Sequence, residues 1–174
     1  VRRIPPYDRV WSLLTILNVS DGERSLANGS AEVLKGSLGV PDEDRIVNMS
    51  ISFDGNVSPD VATAFDGMVR NASNTLFVVA AGNQNRSTSG DIYPAAFGAL
   101  QSENVLSVAA TGGDGRLTAF SNFGPKTVDI AAPGCQIKSW LDSSATLIPL
   151  SGTSQAAPIV TFAASLIHSL IPEA

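Results

Sequence analysis

Thr75-Leu76-Phe77-Val78-Val79-Ala80-Ala81-Gly82-Asn83 is the stretch on which the reading of the fold turns. Its near-continuous apolar run is of strand length and suits a strand buried on both faces of a parallel sheet, and the Gly-Asn that follows stops it. Working outward, runs of the same texture recur at Val10–Leu17, Arg45–Ile51 and Val105–Ala110. Between them lie helix-like stretches. Ser58-Pro59-Asp60 offers an N-cap with proline at the first helical position, and Val61, Ala64, Phe65 and Met68 follow at helical spacing; Ser25–Leu38 holds a second, less regular candidate. Strand alternating with helix predicts an α/β domain whose parallel sheet is flanked by helices in three layers, with right-handed crossovers.

Beyond Ala110 the texture changes to short strands and turns. Gly112-Gly113-Asp114-Gly115 reads as a hairpin tip, Phe123-Gly124-Pro125-Lys126 as a turn, and Ala132-Pro133-Gly134 as a break after Val128-Asp129-Ile130. Thr153–Leu170 is rich in Ala, Leu and Ile on nearly all sides, which predicts a helix buried within the domain and ended by Pro172.

Composition narrows the function classes. The 174 residues fit one domain, and 44% hydrophobic with 16% charged residues is far from a disordered chain. The longest apolar runs, Leu76–Ala81 and Ile159–Ala164, fall short of the roughly 20 residues a membrane span needs, so no membrane partner is expected. A net charge of -5 with scattered basic residues gives nucleic acid no electrostatic footprint. The single Cys135 excludes an internal disulfide and a thiolate cluster, and the single His168 excludes a multi-histidine metal site. No acidic cluster stands out as a set of calcium ligands. Six Asn-x-Ser sequons, at Asn18, Asn28, Asn48, Asn56, Asn71 and Asn85, do not decide the compartment, and Asn48 lies in a strand expected to be buried.

Two segments carry chemistry. Gly152-Thr153-Ser154-Gln155-Ala156-Ala157-Pro158 stands at the entrance to the last helix, where unpaired backbone N–H groups and the positive end of the helix dipole stabilise negative charge on a bound carbonyl oxygen. Pro158 is read there as a first-turn residue, where a missing N–H costs least. Ser154 is thus a candidate nucleophile, and an ordinary helix cap is the competing reading. Asn83, at the carboxyl end of a buried strand, is placed to aim its amide N–H₂ into a site, though a turn-forming Asn reads the same way. A Gly-x-Ser-x-Gly hydrolase elbow is excluded, because too little chain follows Ser154 to supply its partners.

Together these segments resemble the subtilisin-like serine proteases. Gly152–Pro158 is similar to that family's Gly-Thr-Ser-Met-Ala-x-Pro nucleophile motif, with Gln155 in place of Met. Ala81-Gly82-Asn83 resembles the oxyanion segment, and Val47-Asn48-Met49-Ser50 the substrate-flanking strand. Phe120-Ser121-Asn122-Phe123-Gly124 and Ala132-Pro133-Gly134 resemble two of the family's turns. All stand in the family's order. The resemblance implies hydrolysis of a peptide or protein substrate with no cofactor. Ser154 would be the nucleophile, and Asn83 the oxyanion donor, helped by the Ser154 N–H. Ser50, Ile51 and Ser52 would pair with an extended peptide, Ala80, Ala81 and Gly82 would form the opposite wall, and Ile92 the pocket floor. Ile51-Ser52-Phe53 and Ile92 add bulk where the family tends to glycine, and Ile159 and Thr161 replace its usual His and Ala. A secreted location is favoured.

The family's catalytic Asp and His come before the serine, and no Asp-Ser/Thr-Gly or His-Gly-x-His occurs here. Asp8 does not fit, and His168 lies fourteen residues, about 21 Å, up a helix from Ser154. The chain is therefore expected to be the C-terminal portion of one catalytic domain, its N-terminal strands missing, the Asp and His supplied by an upstream fragment with which it stays associated. The abrupt Val1-Arg2-Arg3 start points the same way. The alternative is a noncatalytic relative that holds a peptide by strand addition.

Overall fold

The computed structural model describes residues 45–54, 59–88, 92–98, 102–140 and 146–171. The strand expected at Val10–Leu17, the helix expected at Ser25–Leu38 and Asp8 lie outside the described residues. In chain order the elements are β1 (Arg45–Met49), β2 (Phe53–Asp54), α1 (Pro59–Asn71), β3 (Thr75–Ala80), β4 (Ile92–Tyr93), a 3₁₀ turn (Ala95–Phe97), β5 (Val105–Thr111), β6 (Ile130–Pro133), β7 (Ile137–Trp140), β8 (Leu147–Leu150) and α2 (Thr153–Leu170). Four of the strands form a parallel sheet in the order β1-β3-β5-β6, while β2-β4 and β7-β8 are small antiparallel pairs.

The central strand shows why its sequence is apolar throughout. Phe77 and Val79 of β3 point to one face of the sheet, and Val78 and Ala80 to the other, as the two-residue period of a strand requires. Phe77 and Val79 join Phe65, Met68 and Val69 of α1, with Phe65 set between the rings of Phe77 and Phe97. Val78 and Ala80 join Val108, Ala110 and Ala132 of neighbouring strands and Ala156, Ala157 and Val160 of α2. A helix on each face makes the three layers. Small side chains on the second face let α2 lie close to the sheet: a Cβ added at Gly134 would stand 2.6 Å from that of Ala110 and 2.7 Å from the Gly152 carbonyl oxygen.

The turns form as expected at 112–116 and 124–128. Other expectations need correction. The break foreseen at Ala132-Pro133 comes at Gly134, because β6 is an edge strand of the described sheet, where proline costs no ladder bond. Asn48 is exposed in β1, its amide engaged by Ser50 and Thr161, and not buried. Helix α2 spans Thr153–Leu170 as expected, but only Thr153, Ala156, Ala157 and Val160 are buried. Ile159, Phe162, Leu166, Ile167 and Leu170 are exposed, Leu170 to 75%. Among the described residues, the sheet covers one face of α2 and nothing encloses the other.

Candidate active site

The site forms where β1 and β3 end and α2 begins. Pro158 is the sixth residue of α2, not a first-turn residue. Its ring nitrogen has no proton for the carbonyl four residues back, and that carbonyl belongs to Ser154. The gap is filled from the residue that follows β1: the Ser50 hydroxyl donates to the Ser154 carbonyl oxygen at 2.9 Å, and the Ser154 hydroxyl donates to the Ser50 carbonyl oxygen at 3.1 Å. The Asn48 amide donates to the Ser50 hydroxyl at 2.9 Å, and the Thr161 hydroxyl donates to Asn48 Oδ1 at 3.1 Å. The start of α2 is thereby tied to the end of β1.

Ser154 does not cap the helix. The N-cap is Gly152, which makes no side-chain cap bond, and Ser154 is the second residue of α2, half-buried, among the first-turn amides that have no partner within a helix. The positive end of the α2 dipole therefore falls on the serine itself.

Asn83 is brought to the same turn. Its Oδ1 accepts from the Thr153 N–H at 2.8 Å and from the Thr153 hydroxyl at 3.1 Å, and that hydroxyl in turn accepts from the Gly82 N–H at 3.0 Å. Two donors on one side of the amide fix which way round it sits, since only the oxygen can face them. The exposed Asn83 thus presents its N–H₂ elsewhere, with Nδ2 3.4 Å from where a Cβ on Gly152 would be. Thr153, fully buried, is a site residue that sequence reading passed over. Its place beside Ser154 in the motif was the available signal.

The remaining expected positions fall as follows. Ser50, Ile51 and Ser52 are half-buried between β1 and β2. Ala80, Ala81 and Gly82 are buried, and their polar groups are committed within the chain. Ala81 N–H donates to Val108 and Gly82 N–H to Thr153, while both carbonyls accept from Asn122. Neither Ala81 nor Gly82 therefore has a free N–H. Ile92 is 0% exposed in the α1-side core, against which Met49 and Ile51 also pack. His168 is in the last turn of α2, at the far end from Ser154. Among the described residues no group of three or more His, Cys, Asp or Glu is placed to hold a metal ion, and no helix is long and apolar enough to cross a membrane.

Gly82 carries a requirement of its own. Its φ is +98°, and a Cβ there would stand 2.4 Å from Asn122 Nδ2 and 2.7 Å from Gln84 Oε1. Gly82→Ala is expected to cost about 1–3 kcal/mol through backbone strain alone. Thermal unfolding checks this, and an unchanged midpoint would show that the loop relaxes freely.

Comparisons with known proteins bear on the family of the chain. The chain is 37% identical over 136 residues to an extracellular protease of Xanthomonas campestris pv. campestris, an alignment covering 75% of this chain and 22% of that protein. It is 34% identical over 151 residues to a thermostable alkaline protease of Halalkalibacterium halodurans, covering 83% and 38%. The crystal structure of a cold-adapted subtilisin-like serine proteinase superposes with a TM-score of 0.70 at 28% identity, covering 87% of this chain and 50% of that one. The chain thus spans at most half the length of these relatives. A model of the Subtilase family matches residues 14–174, and the chain belongs to that family.

Proposed function

We propose that this chain is the C-terminal portion of a single subtilase catalytic domain whose complete form is a secreted serine endopeptidase. Ser154 is its nucleophile, and the Asn83 amide with the Ser154 N–H receives the oxyanion. The observation that carries the reading is the Thr153–Asn83 pairing. It holds an amide donor at the turn that bears the serine, on a helix start that favours negative charge. The serine oxygen attacks the scissile carbonyl carbon and the carbonyl electrons move onto its oxygen. Collapse of that intermediate expels the amine and leaves an ester on Ser154, which water then hydrolyses.

The proton on the Ser154 hydroxyl must go to an imidazole, and His168 is too far along α2 to take it. The His and Asp come from an upstream segment. The apolar side of α2 that nothing encloses among the described residues, with Phe162, Leu166 and Leu170, is a surface that such a segment would bury.

Peptides varied at P1 test the reading on the complete domain. Ile92 and Ile51 fill with branched side chains the core under the Ser50–Ser52 edge, and a buried region already packed to density resists a large ring. Small and medium P1 side chains are expected to be preferred over Phe, Tyr or Lys by roughly 10- to 200-fold, with Ile92→Gly widening acceptance in whatever fraction folds. Preference for Phe, unmoved by Ile92→Gly, would contradict the pocket assignment. Peptide binding without any cleavage would point instead to a noncatalytic relative.

A further inference from the structure

We infer that Asn122 is a positioning residue that fixes the loop on both sides of Asn83 and thereby aims the Asn83 amide. The inference rests on the reading of Asn83 as oxyanion donor and concerns how that donor is held. Asn122 is 0% exposed, a burial that an amide tolerates only when its hydrogen-bonding capacity is met. Here it is met by one loop. The Asn122 N–H donates to the Gly82 carbonyl at 2.9 Å. Nδ2 donates to the Ala81 carbonyl at 2.9 Å and to Gln84 Oε1 at 2.7 Å. Oδ1 accepts from the N–H groups of Gln84 at 3.0 Å and Arg86 at 3.2 Å.

The partners are residues 81, 82, 84 and 86, which bracket Asn83 in sequence, while Asn83 itself is left to Thr153. The two amides divide the work. Thr153 decides which way round the Asn83 amide sits, and Asn122 decides where the backbone that carries it runs. Asn83 is exposed and follows a glycine in the left-handed region, so on its own it would sample many directions. A hydrogen-bond donor accelerates acyl transfer only if it already points to where charge will develop, and a misplacement of about 1 Å can cost about 10²-fold.

Asn122→Asp and Asn122→Ala in the complete domain test this. Asp keeps the shape and the acceptor for Gln84 and Arg86 but sets an oxygen against the Ala81 carbonyl. Rates are taken per active site, with folding followed by thermal unfolding. We expect kcat to fall about 10- to 100-fold with KM within about twofold. On an Asn83→Ala background the same changes should cost less than about threefold more, since a donor that is gone cannot be misaimed. Full multiplication of the two losses, a loss carried by KM, or no loss would overturn the inference. So would failure of both variants to fold, because Asn122 would then serve the fold and not the aim. If Asn83→Ala and Ser154→Ala themselves leave the rate intact, the functional reading fails first and this inference with it. Losses in those two variants, with Asn122 fully additive, sink this inference alone.

Discussion

Residues 1–174 on their own are expected to leave an organophosphonate unreacted at Ser154, and to hydrolyse peptides no faster than about 10³–10⁴-fold over water, the residue of catalysis that survives loss of a triad member. Against the complete domain this is a loss on the order of 10⁶ in kcat. The Ser154 hydroxyl donates to the Ser50 carbonyl oxygen, and a peptide carbonyl is no base. The hydroxyl is held but not activated. Addition of a polypeptide bearing the His and Asp should restore labelling. It should also convert self-associating chain into a defined complex, because the exposed apolar side of α2 then has a cover. Mass spectrometry of the labelled serine and light scattering before and after addition are the measurements. Rapid stoichiometric labelling of the chain alone would refute the assignment of the base to another segment.

Asn83→Ala in the complete domain is expected to lower kcat about 10²–10³-fold while KM stays nearly constant, the loss known for removal of one oxyanion donor. Alanine also leaves the Thr153 N–H and hydroxyl without their acceptor, so part of the effect could enter through a loosened turn. Asn83→Asp separates the two. It restores the acceptor to Thr153, removes the donor, and places negative charge where negative charge must develop, so its kcat should be no better than that of Ala. If Asp recovers the rate, Asn83 acts by holding Thr153 and the oxyanion is stabilised elsewhere.

The layers of this fold are legible because burial on two faces forces long apolar runs. The run ending at Ala81 and the periodic Phe65 and Met68 needed no tertiary information to be placed. That Asn83 and the turn bearing Ser154 come together was legible for a related reason, since strand ends and helix starts are where a parallel sheet exposes polar groups. What escaped were groups whose meaning depends on a distant partner. Asn122 sits in a segment that reads locally as a turn, and nothing in Ser121-Asn122-Phe123 reveals that its amide is spent on residues 81–86. Thr153 looked like a neighbour of the serine and not the group that orients Asn83. Ile92 lies in a two-residue strand, which has no periodicity from which its burial in the α1-side core could be read. Pro158 reads as a first-turn residue only if positions are counted from the serine, whereas a helix that starts at Thr153, as expected, makes it the sixth residue.

That misplaced proline has a consequence for how the sequence is free to change. A proline whose missing N–H fell in the first turn could be exchanged for alanine with little effect anywhere else. Here Pro158 leaves one carbonyl open and Ser50 fills it, so the two positions are coupled by a single vacancy. Alanine at 158 would give the Ser154 carbonyl a partner within the helix and release it from dependence on the Ser50 hydroxyl, whereas alanine at 50 with proline retained would strand that carbonyl. The order of substitution then matters: descent through Pro158 first passes through a sound intermediate, and descent through Ser50 first passes through a defective one. An ensemble of variants that ignores this pairing would misjudge both residues as independent contributors to the nucleophile's turn.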